Sequence, residues 1–111
     1  MTMPTAYKVL GQVAPSATTN TTLETVPSAT QAVVSTIAVC NRGATSATYR
    51  IAVRPAGATL ANEHYIAYDA TITANNTTFI TVGLTLATTD VVTVYASNAN
   101  LSFSAFGSEI S

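Results

Sequence analysis

Thr48-Tyr49-Arg50-Ile51-Ala52-Val53-Arg54 decides the fold. In an extended chain Tyr49, Ile51 and Val53 point one way, and Thr48, Arg50, Ala52 and Arg54 point the other. A helix would scatter the same residues around its circumference. The period of two therefore predicts a half-buried strand with a basic outer stripe. Pro55-Ala56-Gly57 ends it, and Asn41-Arg42-Gly43, with residues suited to positive φ, forms the turn that precedes it. Upstream, Gln31 to Cys40 reads as a central strand. Val33, Ser35, Ile37 and Val39 share one face, and Ala32, Val34, Ala38 and Cys40 share the other, so both faces are at least partly covered.

The same punctuation continues in both directions. Ala6 to Val13 is a first strand, with an exit loop through Pro15 to Asn20, and Thr21 to Val26 is a second, stopped by Pro27-Ser28. Downstream come His64 to Asp69, then Thr78 to Val82 with Gly83 marking a bulge or a close backbone approach. Val91 to Ala96 and Leu101 to Phe106 follow, and Gly107 to Ser111 reads as a tail. Eight or so short strands at roughly ten-residue spacing, with no helix pattern, predict an all-β antiparallel β-sandwich, immunoglobulin-like or jelly-roll. The 111 residues fit a single domain, 1–111. The absence of Trp and of a second Cys argues against an antibody-type domain.

Composition narrows the function classes. Only 8% of the residues are charged, against about 25% in ordinary soluble domains. Thr occurs 21 times and Ala 19 times, so hydroxyls replace charges as the solvating groups. A surface so poor in charge has weak self-repulsion and suits packing in an assembly. The net charge of −1 offers no electrostatic grip on nucleic acid or anionic lipid, so neither is expected as a partner. No run reaches the length of a transmembrane helix. Residues 1–5 lack a basic region followed by an apolar one, so no signal peptide is expected, and the lone Cys40 fits synthesis in a reducing cytoplasm. The glycosylation-type triplets at Asn20, Asn75, Asn76 and Asn100 carry no weight in a Thr-rich chain without a secretory signal.

Four constellations could carry chemistry. Glu63, His64 and Asp69 form the densest polar group, but Glu63 and His64 point to opposite faces of a strand, and Asp69 lies roughly 20 Å further along. No metal site is expected. Cys40 with His64 is formally a nucleophile and a base, yet a cysteine closing an apolar strand is a small buried hydrophobe, and there is no Gly-x-Ser-x-Gly elbow. No enzyme activity and no cofactor are expected. Arg50 and Arg54 on one strand face, with Arg42 in the preceding turn, form a candidate protein interface, because arginine makes planar multidentate contacts. The alternative is that they pair across strands with Glu24 or Asp69. Tyr7, Tyr49, Tyr65, Tyr68 and Tyr95 could line a sugar-binding groove or serve as core and rim residues.

Three segments carry a family resemblance. Tyr7-Lys8-Val9-Leu10-Gly11-Gln12, the stretch from Val33 to Gly43 ending in Val39-Cys40-Asn41-Arg42-Gly43, and Asp90-Val91-Val92-Thr93-Val94-Tyr95-Ala96-Ser97 resemble small virion proteins of tailed bacteriophages, cyanophages among them. The ending Leu101-Ser102-Phe103-Ser104-Ala105-Phe106-Gly107-Ser108-Glu109-Ile110 fits the same pattern. The resemblance implies a non-enzymatic structural protein on the particle exterior, most simply a capsid decoration or cement protein. It implies other virion proteins as partners, such as major capsid or tail subunits, with many copies or a homo-oligomer. It also implies location in the virion after synthesis in the host cytoplasm. The rival expectation is a tail, neck or fibre accessory that binds a host receptor or carbohydrate.

Overall fold

The computed structural model describes residues 5–111, and the signal-peptide reading of the first four residues lies outside them. Eight strands follow in order: β1 (Thr5–Val13), β2 (Thr21–Thr25), β3 (Gln31–Asn41), β4 (Ala47–Arg54), β5 (Tyr65–Ile72), β6 (Thr77–Leu86), β7 (Val91–Ala96) and β8 (Leu101–Ile110). Two single-turn 3₁₀ segments, Pro55–Gly57 and Asn62–His64, sit between β4 and β5. The all-β reading holds.

The strands form two four-stranded antiparallel sheets, β1-β8-β3-β6 and β2-β7-β4-β5. The pairing is nested: β1 with β8, β2 with β7, β3 with β6 and β4 with β5. The chain is thus one long hairpin, tipped by the β4–β5 connection and rolled so that its pairs alternate between two layers. That topology is a jelly roll, which decides between the two sandwich types expected.

Both layers contribute to one core. Val34, Ile37, Val39, Leu101, Phe103 and Ala105 come from the first sheet, and Tyr49, Ile51, Val92, Val94 and Ala96 from the second. Tyr49 and Phe103 meet edge to face between the layers, with centroids 6.2 Å apart. Tyr49 and Ile51 are buried as the alternation predicts, and Val53 packs against the core from a half-buried position.

Bulges change what simple alternation predicts. The β3 register shifts between Val34 and Thr36 against both neighbours. One extra residue inverts the parity. Ala32, Val34, Ile37 and Val39 therefore all face inward, while Val33 lies exposed on the outside. Ala38 pairs with Phe79 and Ser104 on the outer face, and Cys40 with Thr77 and Ser102. Cys40 is half-buried there, not enclosed in the core as its place at the end of an apolar strand predicts. Gly83, at φ 58, sits in the matching irregularity of β6, which runs on to Leu86. The expected tail is the end of β8, paired with β1 and β3 as far as Ile110.

Gly11 lets the layers touch at one rim. A Cβ there would collide with the backbone carbonyl of Leu23 in β2. Gly11→Ala is therefore expected to lower stability by about 1–3 kcal/mol, as overpacking against backbone does. The shift in denaturant midpoint at unchanged slope measures it.

Candidate functional site

Three features stand out above the framework: an aromatic cluster around Arg50, a buried carboxylate at the β1–β2 rim, and the outer face of the first sheet.

The aromatic cluster is built by a bulge. Tyr49 pairs with Ala70, but Ile51 pairs with Ala67, so Tyr68 and Asp69 together oppose Arg50. Asp69 takes φ 51, a left-handed conformation that aspartate tolerates better than most residues. Arg50 donates from Nε to Asp69 Oδ1 at 2.7 Å and from Nη2 to Oδ2 at 3.3 Å. Its guanidinium also lies between two rings, 4.2 Å from the centroid of Tyr68 and 4.4 Å from that of Tyr95, its cross-strand neighbour on β7. The hydrogen bond to Asp69 pushes the Arg50 pKa up, so the cation is fixed. Tyr65 completes the group, edge to face with Tyr68 at 4.9 Å. Asn62, Tyr65 and Tyr68 line an open cleft of about 380 Å³.

The three arginines are thus held within the chain. Arg50 takes the Asp69 pairing. Arg54 donates to the carbonyls of Ala58 (2.7 Å) and Gly57 (3.0 Å) and to Thr93 Oγ1 (3.4 Å). Arg42, in the β3–β4 turn, donates to the carbonyl of Ala99 at 3.2 Å. Glu63, His64 and Asp69 do not converge. Glu63 is exposed, His64 Nδ1 accepts from the Ala61 amide at 3.0 Å, and Asp69 is held by Arg50.

Glu24 departs from expectation. Instead of meeting an arginine on the outer face, it turns between the sheets, because β2 shifts register between Thr22 and Glu24. It is 4% exposed, and neither carboxylate oxygen has a hydrogen-bond partner among the described residues. Nearby, Lys8 Nζ and Glu109 Oε1 form an ion pair at 2.7 Å, contributed by β1 and β8. Burial raises the Glu24 pKa to about 7, helped by the negative charge of Glu109 and opposed by Lys8.

The outer face of β1-β8-β3-β6 carries no charge among the described residues. Its rows follow from the register: Tyr7, Ser108, Val33 and Thr85; Val9, Phe106, Thr36 and Thr81; Gln12, Ser104, Ala38 and Phe79. Lys8 and Glu109 lie on the opposite side of their strands. Four of the six large apolar residues that stand exposed among the described residues, Tyr7, Val9, Val33 and Phe79, belong to this face. The outer face of β2-β7-β4-β5 holds the Arg50–Asp69 pair instead. Composition signalled a charge-poor surface, but only the strand order reveals that the loss is concentrated on one sheet.

The chain matches no protein-family model, no curated protein and no solved structure.

Proposed function

We propose that this protein is a non-enzymatic structural component of a tailed-phage virion, packed on the particle exterior through the outer face of β1-β8-β3-β6, and that capsid decoration is its role. The carrying observation is the charge-free sheet face with Tyr7, Val9, Val33 and Phe79 standing out of it. Ions are expensive to strip of water, so a face without them loses little on burial and gains from its exposed apolar groups. Such a face fits a neutral protein subunit better than nucleic acid or an anionic membrane. The resemblance of Tyr7–Gln12, Val33–Gly43 and Asp90–Ser97 to phage virion proteins supplies the particle. Jelly rolls serve viral capsid and lectin domains alike, so the fold is compatible with this reading without deciding it.

The reading makes the arginines secondary. A partner gripping Arg50 would have to displace Asp69, whereas a partner on the first sheet displaces only water. Double substitution Val9→Lys with Phe79→Lys is expected to leave the folded protein intact and to abolish its incorporation into particles, measured by mass spectrometry of purified virions. Arg50→Ala with Arg54→Ala is expected to incorporate normally. The opposite pattern would assign the anchor to the arginines. A cryo-EM map of the particle with this sheet face open to solvent would overturn the proposal.

A further inference from the structure

The cleft at Asn62, Tyr65 and Tyr68 has the features of a ligand site on the other sheet, away from the packing face. Tyr65 and Tyr68 stand at 86° to one another and form a right-angled corner. Tyr68 is 58% exposed, yet it is not loose: Arg50 lies over its ring and is itself fixed by both oxygens of Asp69 and by Tyr95. A rigid exposed ring has little ordering entropy left to lose on binding. Asn62, on the cleft wall, makes no side-chain hydrogen bond among the described residues, so both its donor and its acceptor are free. The depression, about 380 Å³, is open to solvent, so it suits a ligand held by one face.

The charge state selects the ligand. Arg50 is neutralised by a two-point pairing and does not line the cleft, so among the described residues no free cation there waits for a phosphate or a carboxylate. What remains is an aromatic corner and one neutral amide. Aromatic faces carry partial negative charge and attract the polarised C–H groups on one side of a pyranose ring. A free amide donates to one sugar hydroxyl and accepts from its neighbour. We propose that the Asn62–Tyr65–Tyr68 corner binds a neutral pyranose residue of a glycan. The inference rests on this cleft and does not depend on the packing role of the opposite sheet.

The test combines a printed array of neutral and anionic glycans with NMR titration of the whole chain by the methyl pyranosides of glucose, galactose, mannose and N-acetylglucosamine. Binding to at least one neutral glycan is expected, with shifts centred on Asn62, Tyr65 and Tyr68. Tyr68→Ala and Asn62→Ala should each weaken it at least tenfold, while Tyr7→Ala, still more open to solvent on the other sheet, should not. Asn62→Ala removes a side chain that makes no hydrogen bond within the described chain, so it remains informative if Tyr68→Ala lowers stability. The inference is overturned by absence of binding to every neutral glycan and methyl pyranoside tested, by binding to anionic glycans alone, or by binding that Asn62→Ala leaves unchanged. The Val9→Lys, Phe79→Lys variant should bind the glycan as the parent does, so loss of packing and loss of glycan binding are separately visible.

Discussion

Replacing Glu24 by glutamine is expected to stabilise the protein by about 3 kcal/mol at pH 8 and to change little at pH 4. The side chain is buried with both oxygens unpartnered, and its pKa rises from the usual 4.5 to about 7. A tenfold change in proton affinity between folded and unfolded chains is worth about 1.4 kcal/mol. Below pH 4.5 folded and unfolded chains both hold the proton, and there is no penalty. Between 4.5 and 7 the unfolded chain releases it while the folded chain keeps it, so folding stability falls as the pH rises. Above 7 the penalty is complete. Glu109 adds repulsion to desolvation, and Lys8, paired with Glu109, offsets only part of it. Glutamine keeps the shape and never ionises. Urea midpoints at pH 4, 6 and 8 should therefore slope downward for the parent relative to a much flatter line for Glu24→Gln. Parallel lines would remove Glu24 as the source.

The same residue marks the limit of what the sequence discloses. Alternation together with Gly, Pro and Asn punctuation locates all eight strands, because both are local properties of the chain. It also places Tyr49, Ile51 and Val53 toward the core and Arg50 and Arg54 outside, since β4 pairs with β7 without a register shift across that stretch, although Ala52 on the outer side is buried too. It fails where a bulge intervenes. Ser35 inverts β3, Leu23 turns Glu24 inward, and the Tyr68–Asp69 bulge puts two residues opposite Arg50. A bulge is one inserted residue, and its position depends on the partner strand, which the local pattern does not contain. The Arg50–Asp69 pairing is nonetheless among the alternatives open from sequence. The gathering of Tyr65, Tyr68 and Tyr95 is less legible. Tyr95 lies 27 positions from Tyr68 in the chain, and only the β5-β4-β7 order makes them neighbours.

That order also separates the two surfaces. The nested pairing puts β4, β5 and β7 in one layer and β1, β3, β6 and β8 in the other, so the charge-free face and the aromatic corner lie on opposite sheets. A protein packed through one could present the other to solvent. The arrangement has a physical consequence for assembly, because occupying the first sheet leaves the Arg50 cluster and its cleft untouched.

Asn41→Ala is expected to destabilise the fold by on the order of 3 kcal/mol, although the residue looks like an ordinary turn asparagine. It is 1% exposed at the end of β3. Its Nδ2 donates to the carbonyls of Thr45 (2.9 Å), Thr73 (3.2 Å) and Ile72 (3.4 Å), and its Oδ1 accepts from the Gly43 amide at 2.9 Å. One buried amide thus ties the β3–β4 turn to the end of β5. Alanine removes these bonds, and each is worth about 1 kcal/mol net. Asn41→Asp provides the sharper check. Aspartate keeps the bond from the Gly43 amide but replaces the donor with a negative oxygen facing three carbonyls. It should be less stable than the alanine variant at pH 8 and recover on acidification, as protonation removes the charge and restores one donor. Thermal denaturation of the three proteins at pH 4 and pH 8 measures both effects. An aspartate variant as stable as the parent at pH 8 would show that the Nδ2 bonds do not hold the two loops together.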